Sequence, residues 1–242
     1  MAFRAMVLAA GRGTRLGKLT SDVPKPMIPL AEKPILEHTI AWLKRSGIVE
    51  IVINLHHQGD QIRAHFGDGS RLGVTISYSF EPTLLGTAGA LRPVRDQFTS
   101  TFLVVYGDNF FQCNFDRFVE QHRRGGGIGT MALYERSDVS QSGVARLAED
   151  GRIIDFVEKP AREKTFGSLV NAGLLLWEPE VFRYLPDEGL VDFSRDVIPA
   201  AIAAGERLYG YVMRPPEMLL WIDRPEDLIS AQRVARERLV AR

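Results

Sequence analysis

The stretch AMVLAAGRGTRL, residues 5–16, sets the frame for the whole chain. The unbroken apolar run from Ala5 to Ala9 that stops at Gly11 reads as a buried strand, since a strand covered on both faces needs no polar alternation. Gly11 and Gly13 then let the backbone approach a ligand closely, and successive N–H groups in such a loop cradle phosphate oxygens. Arg15 adds a planar fork that matches phosphate. A tight strand-to-helix turn calls for glycine anyway, so the loop alone leaves both readings open. It is not a Walker A, because no Gly-Lys-Ser/Thr follows, and Gly11, Gly13 and Gly17 depart from the G-x-G-x-x-G spacing. Where a dinucleotide fold would run a helix, Val23 to Pro29 reads VPKPMIP instead. Prolines on both sides of Lys25 stiffen the strap that carries it. A lysine so held loses less entropy on engaging an anion. The plain alternative is a rigid surface loop.

Outward from this loop, short apolar runs alternate with amphipathic segments, the pattern of α/β construction. Pro34 to Gly47 reads as a helix with Ile35, Ile40 and Leu43 on one face and Gly47 as its stop. Ile51 to Asn54 is a strand, Gln58 to Phe66 a helix, and Val74 to Phe80 a third strand. Leu91 begins a helical stretch, and Thr101 to Tyr106 is a strand ending at Gly107-Asp108. Beyond residue 140 the pattern changes. Gly143 to Leu147 and Arg152 to Val157 flank Asp150-Gly151, a hairpin signal. Ser168 to Trp177 is another strand, and Phe193 to Ala204 and Pro225 to Leu239 are helical. The expectation is one domain over residues 1–242, a doubly wound, Rossmann-like mixed sheet flanked by helices. Residues 1–140 form the doubly wound half, and residues 141–242 carry antiparallel additions that complete the site.

With 30 basic against 30 acidic residues, the formal charge is zero, which argues against a nucleic-acid or membrane-surface binder. A local anion site remains open. No run approaches the roughly 18 apolar residues of a membrane span, and the N-terminal apolar run is too short for a signal peptide. The expected compartment is the cytoplasm. The single cysteine, Cys113, rules out an internal disulfide and a cysteine zinc cage. Beside Phe110 and Phe111 it reads as a buried, inert thiol. His38, His56, His57, His65 and His122 form no metal spacing and read as ordinary surface or core residues.

Further motifs follow the first two in order: Leu85-Gly86-Thr87-Ala88-Gly89-Ala90-Leu91, Gly107-Asp108, Phe156-Val157-Glu158-Lys159-Pro160, Val170-Asn171-Ala172-Gly173 and Trp221-Ile222-Asp223. Together with G-x-G-T-R-L and P-K-P they resemble the sugar-1-phosphate nucleotidylyltransferases, in particular the mannose-1-phosphate and manno-heptose-1-phosphate guanylyltransferase branch. Asn109 departs from the small or β-branched residue more usual after the aspartate. The resemblance implies in-line attack of a sugar 1-phosphate on the α-phosphorus of a nucleoside triphosphate, with pyrophosphate leaving. That is a meeting of polyanions governed by positioning and charge neutralisation.

By that resemblance Arg15 and Lys25 are the catalytic cations. Leu8, Ala10, Gly11, Gly13, Thr14, Glu81, Gly86, Thr87 and Gly107 join them around the nucleotide. Asn109, Gly143, Glu158, Lys159, Asn171 and Arg195 bind the sugar phosphate. Asp108 and Asp223 hold Mg2+. Helix capping is the alternative for both aspartates, a solvated helix arginine for Arg195, and a plain strand-end glycine for Gly143. Glu81 bears on base choice. A carboxylate only accepts hydrogen bonds and guanine offers two adjacent donors, so GTP is expected, where glutamine would suit a pyrimidine edge. Uridylyl, thymidylyl or cytidylyl transfer to another sugar 1-phosphate is the alternative within the class. A binding-only regulatory homologue is disfavoured because Arg15, Lys25, Asp108, Lys159 and Asp223 are all present. A dinucleotide oxidoreductase is disfavoured because Asn54, not an acid, ends the second strand and no Tyr-x-x-x-Lys pair occurs. The chain stops soon after residue 239, so no C-terminal β-helix is expected, and the last helix offers a face for a homodimer.

Overall fold

The computed structural model describes residues 3–161 and 166–240. The first elements are β1 (Arg4–Leu8), β2 (Pro29–Leu30), β3 (Lys33–Pro34), α1 (Ile35–Arg45), β4 (Glu50–Leu55), α2 (Gly59–Phe66), β5 (Thr75–Phe80) and α3 (Gly86–Gly89). Then come β6 (Phe102–Tyr106), β7 (Phe110–Gln112), α4 (Phe115–Gly125), β8 (Gly129–Glu135), β9 (Gly143–Leu147) and β10 (Ile153–Glu158). β11 (Leu169–Trp177), α5 (Ile198–Ala203), β12 (Leu208–Val212), β13 (Met218–Leu220) and α6 (Pro225–Val240) complete the order. The architecture is Rossmann-like α/β with antiparallel strands in its later part. The elements gather into two compact units. One holds the chain up to Leu84, Tyr106–Gln112 and the chain from Leu219 onward; the other holds Leu85–Val105 and Cys113–Met218.

In the first unit β1, β4 and β5 run parallel, with Leu8 opposite Asn54 and Asn54 opposite Ser79, so the three strands finish together. Parallel strands are covered on both faces, which explains the apolar runs: Ala5, Met6, Val7 and Ile53 are fully buried. Helix α1 buries Ile35, Leu36, Ile40 and Leu43 and carries Glu37 in its first turn and Lys44 and Arg45 in its last, the charge order a helix dipole favours. It ends as its sequence demands. Gly47 takes a left-handed φ of 77° and the Ile48 amide bonds back to the Leu43 carbonyl. Open-sheet α/β proteins bind ligands at the carboxyl ends of such strands.

The second unit is built around β11, antiparallel to β6, β8 and β9, with β12 parallel to β8. The hairpin read at Asp150-Gly151 is there. Gly151 has φ 81°, the Asp150 carboxylate accepts from the Arg152 amide at 3.0 Å, and β9 pairs with β10. The stretch after Leu91 is a tight 3-10 turn over Arg92–Gln97, kept short by Pro93. Phe193 to Ala204 is not one regular helix: a wide π-turn covers Phe193–Val197 before α5 begins. Cys113 is a buried free thiol, and burial followed by the neighbouring Glu217 carboxylate pushes it far up, away from the reactive thiolate. Among the described residues no helix is long and apolar enough to cross a membrane.

Candidate functional site

The proline strap does what its stiffness suggests. Lys25 opens a single 3-10 turn, Lys25–Met27, held by the Met27 amide on the Pro24 carbonyl. Its side chain is 4% exposed, yet its Nζ lies 2.8 Å from Asp108 Oδ2 and 3.0 Å from Asp223 Oδ1. Arg15 Nη1 lies 3.0 Å from Asp223 Oδ2. Four groups that are 15, 25, 108 and 223 in the chain therefore form one cluster, two cations against two carboxylates. Burial disfavours the lysine's charge, but Asp108 and then Asp223 outweigh it, so the ammonium titrates above its usual range.

Glycines set the clearances around this cluster. Gly13 has φ 60°, and a Cβ there would come 2.8 Å from Lys25 Cβ. Gly107 donates to the Leu8 carbonyl at 2.9 Å, and a Cβ on it would meet Val7 Cγ1 at 2.8 Å. Both are close-approach glycines, so strap and loop touch where a larger residue would hold them apart. Gly11, Thr14 and Arg15 are exposed, Leu8 is half-buried and Ala10 is buried.

Asn109 belongs with this cluster. It is 3% exposed, its Nδ2 donates to Asp108 Oδ1 at 3.3 Å, and its Oδ1 accepts from the Ile222 amide at 3.3 Å. It therefore ties the two aspartate-bearing strand ends to each other, an occupation the sugar-phosphate reading of Asn109 did not include. Glu81 is equally buried, at 1%. Its Oε1 accepts from Asn54 Nδ2 at 2.7 Å, and Asn54 Oδ1 accepts from the Ala9 amide at 2.7 Å.

The second unit holds the remaining candidates. Gly143 pairs with Glu158 across the β9–β10 ladder, and a Cβ at 143 would lie 2.8 Å from Glu158 Oε2. Burial first, then Asp192, push the Glu158 carboxyl above the usual range against the pull of Lys159 and Arg195. Lys159 Nζ is 4.0 Å from Glu158 Oε1. Lys159 also has φ 48°, a costly conformation for a residue with a Cβ, pinned by its amide on the Ser142 carbonyl at 3.0 Å. Asn171 is buried beside a register break in β11, and its Oδ1 accepts from the Gly173 amide at 2.8 Å. Bulges of this kind re-aim side chains near functional sites. Arg195 is exposed. Gly143, Glu158, Lys159 and Arg195 are thus brought together.

Thr87 is engaged by a residue that sequence reading passed over. Asp192 Oδ1 accepts from the Thr87 amide at 3.0 Å and from its hydroxyl at 3.1 Å. The Ala88 and Gly89 amides both reach the Val191 carbonyl at 2.9 Å. The Gly86 φ is 86°, and a Cβ there would lie 2.4 Å from the Val191 carbonyl oxygen. Gly86→Ala is expected to cost about 2–4 kcal/mol, from left-handed strain plus a backbone clash that nothing flexible relieves. Gly11→Ala, with no neighbour within 4 Å, is the control and stays within about 1 kcal/mol. Denaturant midpoints at equal slope measure both; equal midpoints would remove the constraint ascribed to Val191.

Comparison with known proteins bears on this geometry. Residues 4–235 match the family described as "Nucleotidyl transferase". A UTP–glucose-1-phosphate uridylyltransferase of Synechocystis is 35% identical over 224 residues, covering 87% of this chain and 58% of that protein. A mannose-1-phosphate guanylyltransferase of Mycobacterium tuberculosis is 33% identical over 229 residues, covering 93% and 62%. The chain thus spans about three-fifths of the length of these curated relatives. Among solved structures, a Bacillus anthracis protein, nominally a glucose-1-phosphate thymidylyltransferase, superposes with a TM-score of 0.87 over 97% of this chain and 96% of that one. At 24% identity that last likeness speaks to the fold.

Proposed function

This chain belongs to the nucleotidyl transferase family, and from that premise we propose that it joins a nucleoside triphosphate to a sugar 1-phosphate. A sugar-phosphate oxygen bonds to the α-phosphorus, the bond from that phosphorus to the β-phosphate bridging oxygen breaks, and pyrophosphate leaves. The observation that carries the proposal is the buried Lys25 held between Asp108 and Asp223 with Arg15 alongside. Chemistry between two polyanions needs cations fixed in advance, because preorganised charge is worth more than charge that must reorient. Lys25 and Arg15 neutralise the triphosphate, and the loop with exposed Gly11 and half-buried Gly13 offers it backbone N–H groups. Glu158 and Asn171 bond the sugar hydroxyls, and Lys159 and Arg195 hold its phosphate.

The donor set at Asp108 and Asp223 fits magnesium: two carboxylates already turned towards one cationic atom, with no sulfur or imidazole among them. Bound there, the ion would neutralise phosphate oxygens beside the charge that Lys25 and Arg15 hold in place.

For the base we favour GTP, and for the sugar a manno-configured one, on the acceptor-only character of Glu81 and the likeness to the guanylyltransferase. The 35% identical uridylyltransferase supports UTP as the second reading. The test is pyrophosphate release with magnesium across GTP, UTP, dTTP, CTP and ATP, each with mannose, manno-heptose and glucose 1-phosphates. Turnover with GTP and a manno sugar is the expected result. Turnover only with a pyrimidine nucleotide would replace the base assignment, and silence across the panel would overturn the reaction class. Glu81→Gln is expected to lower GTP use relative to UTP use by about tenfold, the worth of one misplaced hydrogen bond. Equal losses on both nucleotides would remove Glu81 from base recognition.

A further inference from the structure

The strap that carries Lys25 is held at both ends by glutamine side chains. Ahead of it, Gln58 Nε2 donates to the Ser21 carbonyl and Gln61 Nε2 to the Asp22 carbonyl, each at 2.7 Å, from the start of α2. Behind it, Gln232 makes two bonds: its Nε2 donates to the Pro29 carbonyl at 2.6 Å and its Oε1 accepts from the Ala31 amide at 2.9 Å. The two grips differ in what they connect. Gln232 lies about two turns into α6, the helix that begins just after Asp223, whereas α2 carries neither Asp108 nor Asp223. Lys25 and Asp223 are thus joined twice, directly at 3.0 Å and again through the strap, Gln232 and α6.

What Gln232 holds is a turn that its own sequence does not favour. Ala31 and Glu32 alone join β2 to β3, with Leu30 opposite Lys33, and both are left-handed, at φ 46° and 72°. Two-residue hairpin loops of this shape call for Asn-Gly, because a Cβ is costly at positive φ. Such conformations persist where the surroundings over-determine them, and they gather at functional sites. Here the Ala31 amide is claimed from outside the hairpin, by α6. We propose that Gln232 is a positioning residue for the transfer: it docks the Lys25 strap on the helix that follows Asp223, so that the ammonium stands in place before the substrates arrive. Gln232 acts through Lys25, and its role rests on the reading of Lys25 given above. Misplacing a reacting group by about 1 Å is enough to cost up to about 10²-fold in rate.

Two measurements test this, and the first needs no activity. Lysine amines of the ligand-free protein are labelled with acetic anhydride, and mass spectrometry follows the rates at Lys25 and Lys44. Lys25 is buried against two carboxylates, and Lys44 is exposed at the end of α1. Gln232→Met, which keeps the length and neither bond, is expected to speed labelling of Lys25 about tenfold and to leave Lys44 within about twofold. Gln232→Glu keeps an acceptor for Ala31 and should fall between; it carries the same comparison should the methionine variant not fold. Equal acceleration at both lysines would mean general loosening, and an unchanged Lys25 would mean that the strap holds without Gln232; either overturns the proposal. The second measurement is pyrophosphate release. Gln232→Met is expected to lower kcat about tenfold with KM for the nucleoside triphosphate within about threefold, and to lower kcat less than about twofold in a Lys25→Met background. A tenfold loss in both backgrounds would place the effect elsewhere than Lys25 and overturn the proposal. A parent that releases no pyrophosphate from any nucleotide fails the reading of the reaction, and the role proposed for Gln232 falls with it. A parent that turns over, with its kcat and its Lys25 labelling both unmoved by the variant, fails this proposal alone.

Discussion

Lys25→Met is expected to lower pyrophosphate release on the order of 10³-fold, the scale of losing one preorganised charge at the reacting phosphorus. The same change alters the ligand-free protein in a second, measurable way. Lys25 Nζ neutralises Asp108 and Asp223 at 2.8 and 3.0 Å. Without it, among the described residues Asp108 is left with its neighbour Asn109 and Asp223 keeps Arg15. Removing one partner of a buried pair costs several kcal/mol; with Asp108 a third exposed, about 2 kcal/mol is the fair expectation. The pH dependence follows from the raised lysine. Its stabilisation is complete below the ordinary lysine value of 10.5 and is lost as pH rises through the still higher folded value. Between pH 6 and 9 the stability difference between parent and variant is therefore flat. Two carboxylates relieved of their internal cation should also bind magnesium more tightly, so the half-saturating magnesium concentration falls while turnover falls too. Calorimetric titration with magnesium, beside the pyrophosphate assay, checks the pair of effects. Weaker magnesium binding in the variant would mean that Lys25 organises the carboxylates rather than competing for them.

The elements most legible in the sequence were those with one dominant local signal. The apolar run at 5–9, the Ile35–Ile40–Leu43 face closed by Gly47, and the Asp150-Gly151 turn all became what they suggested. Helix α4 was missed although its signals are present: Asn114 caps it by accepting from the Arg117 amide, and Gly126 closes it at φ 58°. Its abundance of charge hid a narrow buried stripe of Phe115, Phe118, Val119 and His122. β12, LYGYV, was missed for a different reason, since a five-residue strand with a central glycine is made by its partner β8 rather than by its own propensity. In the site, Arg15, Lys25, Asp108 and Asp223 were each marked by a loop, a strap or a strand end. What the sequence could not carry was that one ammonium serves both carboxylates across separations of 83 and 198 residues. Asn54 and Asp192 stayed invisible because what marks them is their hydrogen bonds to distant residues: Asn54 looked like a strand end, and Asp192 like one acid among thirty.

Asp108→Asn and Asp223→Asn should both be close to inactive, on the order of 10²- to 10³-fold down, but they should differ in the ligand-free protein. Asp108 contributes one ion pair, to Lys25. Asp223 contributes two, to Lys25 and Arg15, and sits on the first turn leading into α6, where its amide donates to Asp227 at 3.1 Å. Its side chain is 18% exposed against 35% for Asp108. Asp223→Asn therefore leaves Arg15 without its carboxylate and Lys25 with one, and should lower the unfolding midpoint more. The kinetic signature is different in kind. If both carboxylates hold the same ion, losing either loses most of what the ion supplies, and the double variant should be less than about tenfold worse than the poorer single one. Two independent roles would instead multiply, to about 10⁴-fold or beyond. Titrating magnesium separates the cases further, since a shared ion makes each single variant partly recoverable at high metal. Multiplying losses with no magnesium rescue would leave the aspartates as partners of Lys25 and Arg15 alone, and the metal would have to be placed elsewhere.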